Sequence, residues 1–115
     1  MTKAALALSK KVDDALREFC NTIRHKLKDN IIELRLFGSV VRGETTSDSD
    51  IDVLVVLRNK DEVSEDIVLD IAVDTNLKYD VLICPIIKRE SEYNYPLFQQ
   101  TYFYRNLQAE GILLW

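Results

Sequence analysis

Asp50 and Asp52 stand two residues apart at the head of one apolar run, IDVLVVL, and a Gly38-Ser39 pair closes another, IIELRLF, with ten residues between Ser39 and Asp50. Residues at i and i+2 of a strand share a face, so the two carboxylates project together. Like charges held side by side repel, and a cation between them removes that penalty. With no His or Cys in the motif, the pair suits Mg²⁺, a hard ion bound through oxygen and often shared with substrate phosphates. Gly38 lets backbone approach a ligand closely. Ser39, opening a short helical turn, offers a hydroxyl and N–H groups to an anion. Arg42, one turn further on, brings a guanidinium within reach of phosphate oxygens, or equally of Glu44 or Asp48 on the surface. Metal-binding carboxylates beside a phosphate-binding turn make a candidate site for a nucleoside triphosphate.

The string GSVVRG…SDSDIDVLV resembles the signature of the DNA polymerase β-like nucleotidyltransferase superfamily. With so short a chain it resembles in particular the minimal nucleotidyltransferase (MNT) branch, and the resemblance runs over essentially the whole sequence. It implies an α/β (α+β) nucleotidyltransferase fold, a small mixed β-sheet flanked by helices. It also implies a third carboxylate on a neighbouring strand about thirty residues on, a place that Asp80 in KYDVLIC fills. Asp70 and Asp74 compete for that role but fall on a predicted helix. The chemistry implied is nucleotidyl transfer. ATP lies over Gly38 and Ser39, Mg²⁺ is held by Asp50, Asp52 and Asp80, and AMP moves to an acceptor hydroxyl that Asp80 helps deprotonate. MNT chains of this kind are typically antitoxins of toxin–antitoxin pairs, and the implied partner is a HEPN-domain RNase toxin silenced by AMPylation of a tyrosine. Two alternatives stay open. One is a non-catalytic antitoxin that neutralises its partner by binding alone, against which the intact triplet of acids speaks. The other is a small-molecule nucleotidyltransferase whose acceptor pocket is completed by a second subunit.

Length and composition narrow the field. At 115 residues the chain is expected to form one domain, residues 1–115, with no room for a separate acceptor-binding domain. A 47% hydrophobic content with three Gly and two Pro argues against disorder. The net charge of −4 argues against a broadly basic surface, so direct nucleic-acid binding is not expected. Apolar runs such as Val53–Leu57 fall far short of the ~20 residues that span a bilayer, and the stretch after Met1 is too short for a secretion signal. No membrane is expected, and a cytoplasmic location fits two thiols, Cys20 and Cys84, without metal-ligand spacing. His25 lies away from the motifs, so a His-based triad or zinc site is not expected.

The elements that position the acids follow from periodicity. Ala5, Leu8, Val12, Leu16, Phe19, Ile23 and Leu27 recur at helical steps and predict a helix over 3–28, ended by Asp29-Asn30. A strand follows over 31–37 with Arg35 outward, then the turn 38–43 and a polar loop 44–49. The strand 51–57, almost wholly apolar after its acids, should be central. Val63, Ile67 and Ile71, with Val68 and Ala72, predict a helix to about Asn76. Tyr79 to Ile87 reads as a strand that Pro85 confines to an edge. Residues 92–109 read as a last helix starting near Pro96 and stopped by Gly111, with ILLW as a short strand or buried tail. The aromatic group Tyr93, Tyr95, Phe98, Tyr102, Phe103 and Tyr104 is expected to divide between core and a partner-facing surface.

Overall fold

The computed structural model describes residues 8–43 and 50–115. Helix α1 (Lys10–Leu27) starts where Ser9 Oγ accepts from the Val12 N–H at 3.2 Å. Ser9 therefore caps the helix later than the periodicity suggests, and Ala5 lies outside the described residues. Its Leu16, Phe19, Ile23 and Leu27 are buried as predicted, each contributing about 1.5–3 kcal/mol relative to exposure. A 3₁₀ turn (Lys28–Asn30) leads into β1 (Ile31–Phe37), which is followed by the short helix α2 (Ser39–Arg42) and then β2 (Ile51–Leu57). Next come α3 (Glu62–Tyr79), β3 (Ile83–Arg89), α4 (Glu90–Tyr93), a 3₁₀ turn (Phe98–Gln100), α5 (Tyr102–Glu110) and β4 (Ile112–Leu113).

The sheet order is β3-β2-β1-β4, with β2 parallel to β3 and the other pairings antiparallel. β2 is central and β3, carrying Pro85, is an edge strand, both as the sequence led us to expect. Ile51, Val53, Val55 and Leu57 face α1 and α3 in the larger core. Leu54 and Val56 face the other way, against Tyr93 and Leu107. Since side chains alternate along a strand, Asp50 and Asp52 belong to this second face. The short β4 pairs with β1, and Leu34 exchanges backbone hydrogen bonds with Trp115.

Five expectations are corrected. α3 runs on to Tyr79, because Asn76 turns its side chain outward to clamp the strand: its amide donates to the Ile83 carbonyl at 3.1 Å and accepts from the Ile83 N–H at 2.8 Å. That clamp sets where β3 begins, four residues after the expected start. Val63, placed in the buried stripe by spacing, is exposed. The predicted last helix is broken into α4, a 3₁₀ turn and α5. Proline disfavours helical backbone in the residue before it, here Tyr95, and an extended Thr101 restarts the helix by accepting from the Tyr104 N–H at 3.2 Å. Arg35 is not outward: it is part-buried, donating to Glu33 Oε2 at 2.8 Å under the end of α5.

Candidate active site

The antiparallel register sets Phe37 opposite Asp52, so the residue after Phe37 passes directly beside the second carboxylate. That residue is Gly38, at φ 83° and ψ −158°. A Cβ built there would overlap Asp52 Oδ2, so glycine is required twice, by backbone conformation and by the acid against it. The chain then turns into α2. The Gly38 carbonyl accepts from Val41 at 3.1 Å and Arg42 at 3.4 Å. Val40 is buried in the larger core, which anchors the turn, and Gly43 closes it at φ 74°. The first N–H groups of so short a helix, those of Ser39 and Val40, have no acceptor within it.

The electrostatics of Asp52 fit a cation site. Partial burial, chiefly, and then the Asp50 charge push its carboxyl above the usual range, while Arg42 pulls the other way. Asp50 is exposed at the mouth of the same face. Arg42 Nη1 also reaches Glu110 Oε2 at 3.5 Å, an exposed pair that ties α2 to the end of α5. The partners weighed from sequence for Arg42, Glu44 and Asp48, lie outside the described residues.

Asp80 is placed differently from its expected strand position. It is the exposed C-cap of α3, in the left-handed region at φ 54°, and its carbonyl accepts from Lys11 Nζ at 3.0 Å. The strand opens only at Ile83 because the Asn76 clamp holds the chain there. Among the described residues no three His, Cys, Asp or Glu side chains gather closely enough to hold a metal ion, so the expected three-carboxylate cluster is not assembled. Asp80 nevertheless lies at the same end of the sheet, since the Ile51 N–H donates to the Leu82 carbonyl at 2.8 Å.

The side chain that does come beside the pair from β3 is Cys84, in register with Asp52. Burial first, then Asp50 and Asp52, push its thiol up. Sequence reasoning noted only a strand cysteine, because the register of a parallel pair is not written in local sequence. Cys20, by contrast, is buried in the core.

Asp50 and Asp52 suffice for Mg²⁺ by donor chemistry. That ion is commonly held by one or two carboxylates, with substrate phosphates and water completing its shell, and a cation would offset both the burial and the Asp50 charge that raise the Asp52 carboxyl.

The aromatic segment divides between buried and exposed residues. Tyr93 is buried, and its hydroxyl donates to Glu33 Oε2 at 2.9 Å and accepts from Gln108 at 2.8 Å. Phe103 meets Phe37 edge-on at 5.5 Å, one residue from Gly38. Tyr95, Leu97 and Tyr102 are exposed. No helix among the described residues is long and apolar enough to cross a membrane.

Residues 16–114 match the family model described as nucleotidyltransferase domain. A provisionally named protein adenylyltransferase of Methanocaldococcus jannaschii is 36% identical over 103 residues, spanning 90% of this chain and 97% of the relative. A second from the same organism is 37% identical over 79 residues, spanning 68% and 80%. Among solved structures, a toxin–antitoxin complex with AMP-PNP shares the fold at a TM-score of 0.58 and 17% identity, over 84% of this chain and 70% of that one. A variant of the MntA–HpeT toxin–antitoxin complex does so at 0.55 and 14%, over 84% and 69%.

Proposed function

The chain belongs to the nucleotidyltransferase domain family, and on that premise we propose that it is an antitoxin moving AMP from ATP onto a tyrosine hydroxyl of a HEPN-domain RNase toxin. The observation that carries the reading is the Asp52 carboxylate seated against Gly38. That contact supports the reading, because transfer at a phosphorus atom needs a cation-holding carboxylate close to a turn that receives the phosphates. The relatives named protein adenylyltransferase support a protein acceptor, and the toxin–antitoxin complexes of the same fold support a toxin.

In this reading the triphosphate lies over α2, with the Ser39 hydroxyl and the N–H groups of Ser39 and Val40 on its oxygens and Arg42 at its flank. Asp50 and Asp52 would hold Mg²⁺, which when bound supplies positive charge for the phosphates and the departing pyrophosphate. The acceptor oxygen attacks the α-phosphorus, the bond to the β-phosphate oxygen breaks, and pyrophosphate leaves. Asp80, exposed at the same end of the sheet, takes the acceptor proton. No covalent enzyme intermediate is needed, because the protein positions the groups and balances charge. The exposed Tyr95, Leu97 and Tyr102 offer the toxin an apolar surface along the segment whose Phe103 packs on Phe37.

Label position tests the reaction. With ATP labelled at the α-phosphate, label should pass to the co-purified toxin; with γ-labelled ATP it should not. Transfer of the γ label would mean phosphorylation, and no transfer of either would leave neutralisation to binding alone.

A further inference from the structure

At the opposite end of the sheet from the carboxylate pair, Arg24, Lys28, Asp29, Ile31, Arg58 and Trp115 line an open cleft of about 600 Å³. Asp50 precedes the first residue of β2 and Arg58 follows its last, so the two sites stand ~26 Å apart at ~3.3 Å per strand residue. Three cations converge here in a chain of net charge −4. They come from three elements: the last turn of α1, the cap that follows it at φ 41°, and the end of β2. Among the described residues none of the three is in an ion pair. Arg58 Nε donates to the Asp29 carbonyl at 3.3 Å, which leaves most of its guanidinium donors for something else. The Arg24 guanidinium lies 5.0 Å from the centre of the Trp115 ring, and that indole is 39% exposed. The dipole of α1 favours cations at its C-terminus and so explains Arg24 and Lys28. It explains neither Arg58, which arrives from the sheet, nor the aromatic ring between them.

We propose that this cleft is a second binding site, separate from the catalytic one, for an unpaired nucleotide. The base stacks on Trp115 with Arg24, the phosphate sits between Lys28 and Arg58, and the Asp29 carboxylate accepts from a ribose hydroxyl. A bare polyphosphate would leave the indole unused and face the Asp29 charge, whereas a nucleotide uses all of these groups. Stacking on an aromatic face together with cationic contacts is how single-stranded nucleic acid is commonly held, and the cleft volume is in the range of small-ligand sites. The nucleotide is either free or part of an RNA strand, and the two are separable by experiment.

Trp115 is the only tryptophan, so fluorescence excited selectively at tryptophan reports on this cleft and not on the distant carboxylates. The full chain in EDTA is titrated with AMP, with a short oligoadenylate, and with tripolyphosphate. Saturable quenching by AMP or the oligonucleotide is expected. It should persist in Asp52→Asn and weaken by about tenfold or more in the double variant Lys28→Asn with Arg58→Gln, as loss of hydrogen bonds to a charged group implies. Both substituted side chains are exposed, and a thermal melt of the double variant confirms that it folds. Much tighter binding of the oligonucleotide, with steep salt dependence, identifies RNA as the source; comparable binding of AMP identifies a free nucleotide. The proposal is overturned if neither ligand quenches saturably, if the double variant quenches like wild type, or if tripolyphosphate binds as well as AMP.

Discussion

Asp52 bears the energetic cost of the site. Burial and the neighbouring Asp50 raise its carboxyl above the ordinary range, so this carboxyl holds its proton more tightly in the folded state than in the unfolded one. The stability this group lends is therefore complete below the unfolded carboxylate range and is lost as pH rises through the raised value. Asp52→Asn should melt higher than wild type near neutral pH without metal, and the gap should close on acidification, while nucleotidyl transfer disappears. Thermal melts of both proteins in EDTA across that range check it, and a lower melting point for the variant at neutral pH would show that the pair is not under strain. At the turn, Ser39→Ala should cost about 1–3 kcal/mol of transition-state stabilisation, the scale of a hydrogen bond to a charged group. Gly38→Val should cost more, because a side chain there must displace the Asp52 carboxylate. Steady-state kinetics on the two variants would rank them, and equal rates for both and wild type would make the turn purely structural. Asp80 separates cap from chemistry. Both Asn and Gly are at home in left-handed backbone, so Asp80→Asn and Asp80→Gly should keep or raise the melting point while transfer falls more than nucleotide binding. Full transfer in both would reduce Asp80 to a helix cap.

The elements show how far the sequence could be read. Strands 31–37 and 51–57 were legible to the residue, because each is a short apolar run bounded by turn chemistry. The Gly-Ser and Asp-x-Asp motifs were legible because their spacing is local to one hairpin-like pair of strands. What escaped was set by tertiary contacts. The start of β3 depends on the Asn76 side chain, the placing of Cys84 on a parallel register, and the break before α5 on a Thr101 hydroxyl outcompeting helical periodicity. Arg35 looked solvent-facing but joins Glu33, Tyr93 and Gln108 in a polar network beneath α5. That network makes its own test. Burial, then the bond to Glu33, push the Tyr93 hydroxyl from 10.0 up to about 12, so its stabilising share is present below about pH 10 and lost as pH rises through about 12. Tyr93→Phe leaves Glu33 and Gln108 without their shared hydroxyl and should cost about 1–3 kcal/mol at neutral pH. Denaturant unfolding would show the wild-type advantage shrinking over that alkaline window, whereas a constant difference would mean the hydroxyl does not titrate with the fold.

At the scale of the whole molecule, a sheet with both faces covered delivers the acids to one end and a basic, aromatic cleft to the other. The aromatic residues before and at the start of α5, Tyr95 and Tyr102, are exposed, and the proposed function gives them to the toxin. Replacing Leu97 and Tyr102 with Ser should weaken toxin binding without unfolding the chain, since both are at least 70% exposed; co-purification with the toxin reads the loss. An antitoxin that acts by transfer also turns over, so it protects substoichiometrically, whereas one that acts by plugging must match its toxin one for one. The most direct measurement is the intact mass of the toxin after incubation with a small fraction of an equivalent of this protein, Mg²⁺ and ATP, read alongside residual RNase activity. The account predicts that the whole toxin population gains one or more AMP residues and loses its RNase activity, and that an Asp50→Asn/Asp52→Asn double variant produces neither change. An unmodified toxin mass, with full neutralisation by the double variant at one-to-one stoichiometry, would contradict it.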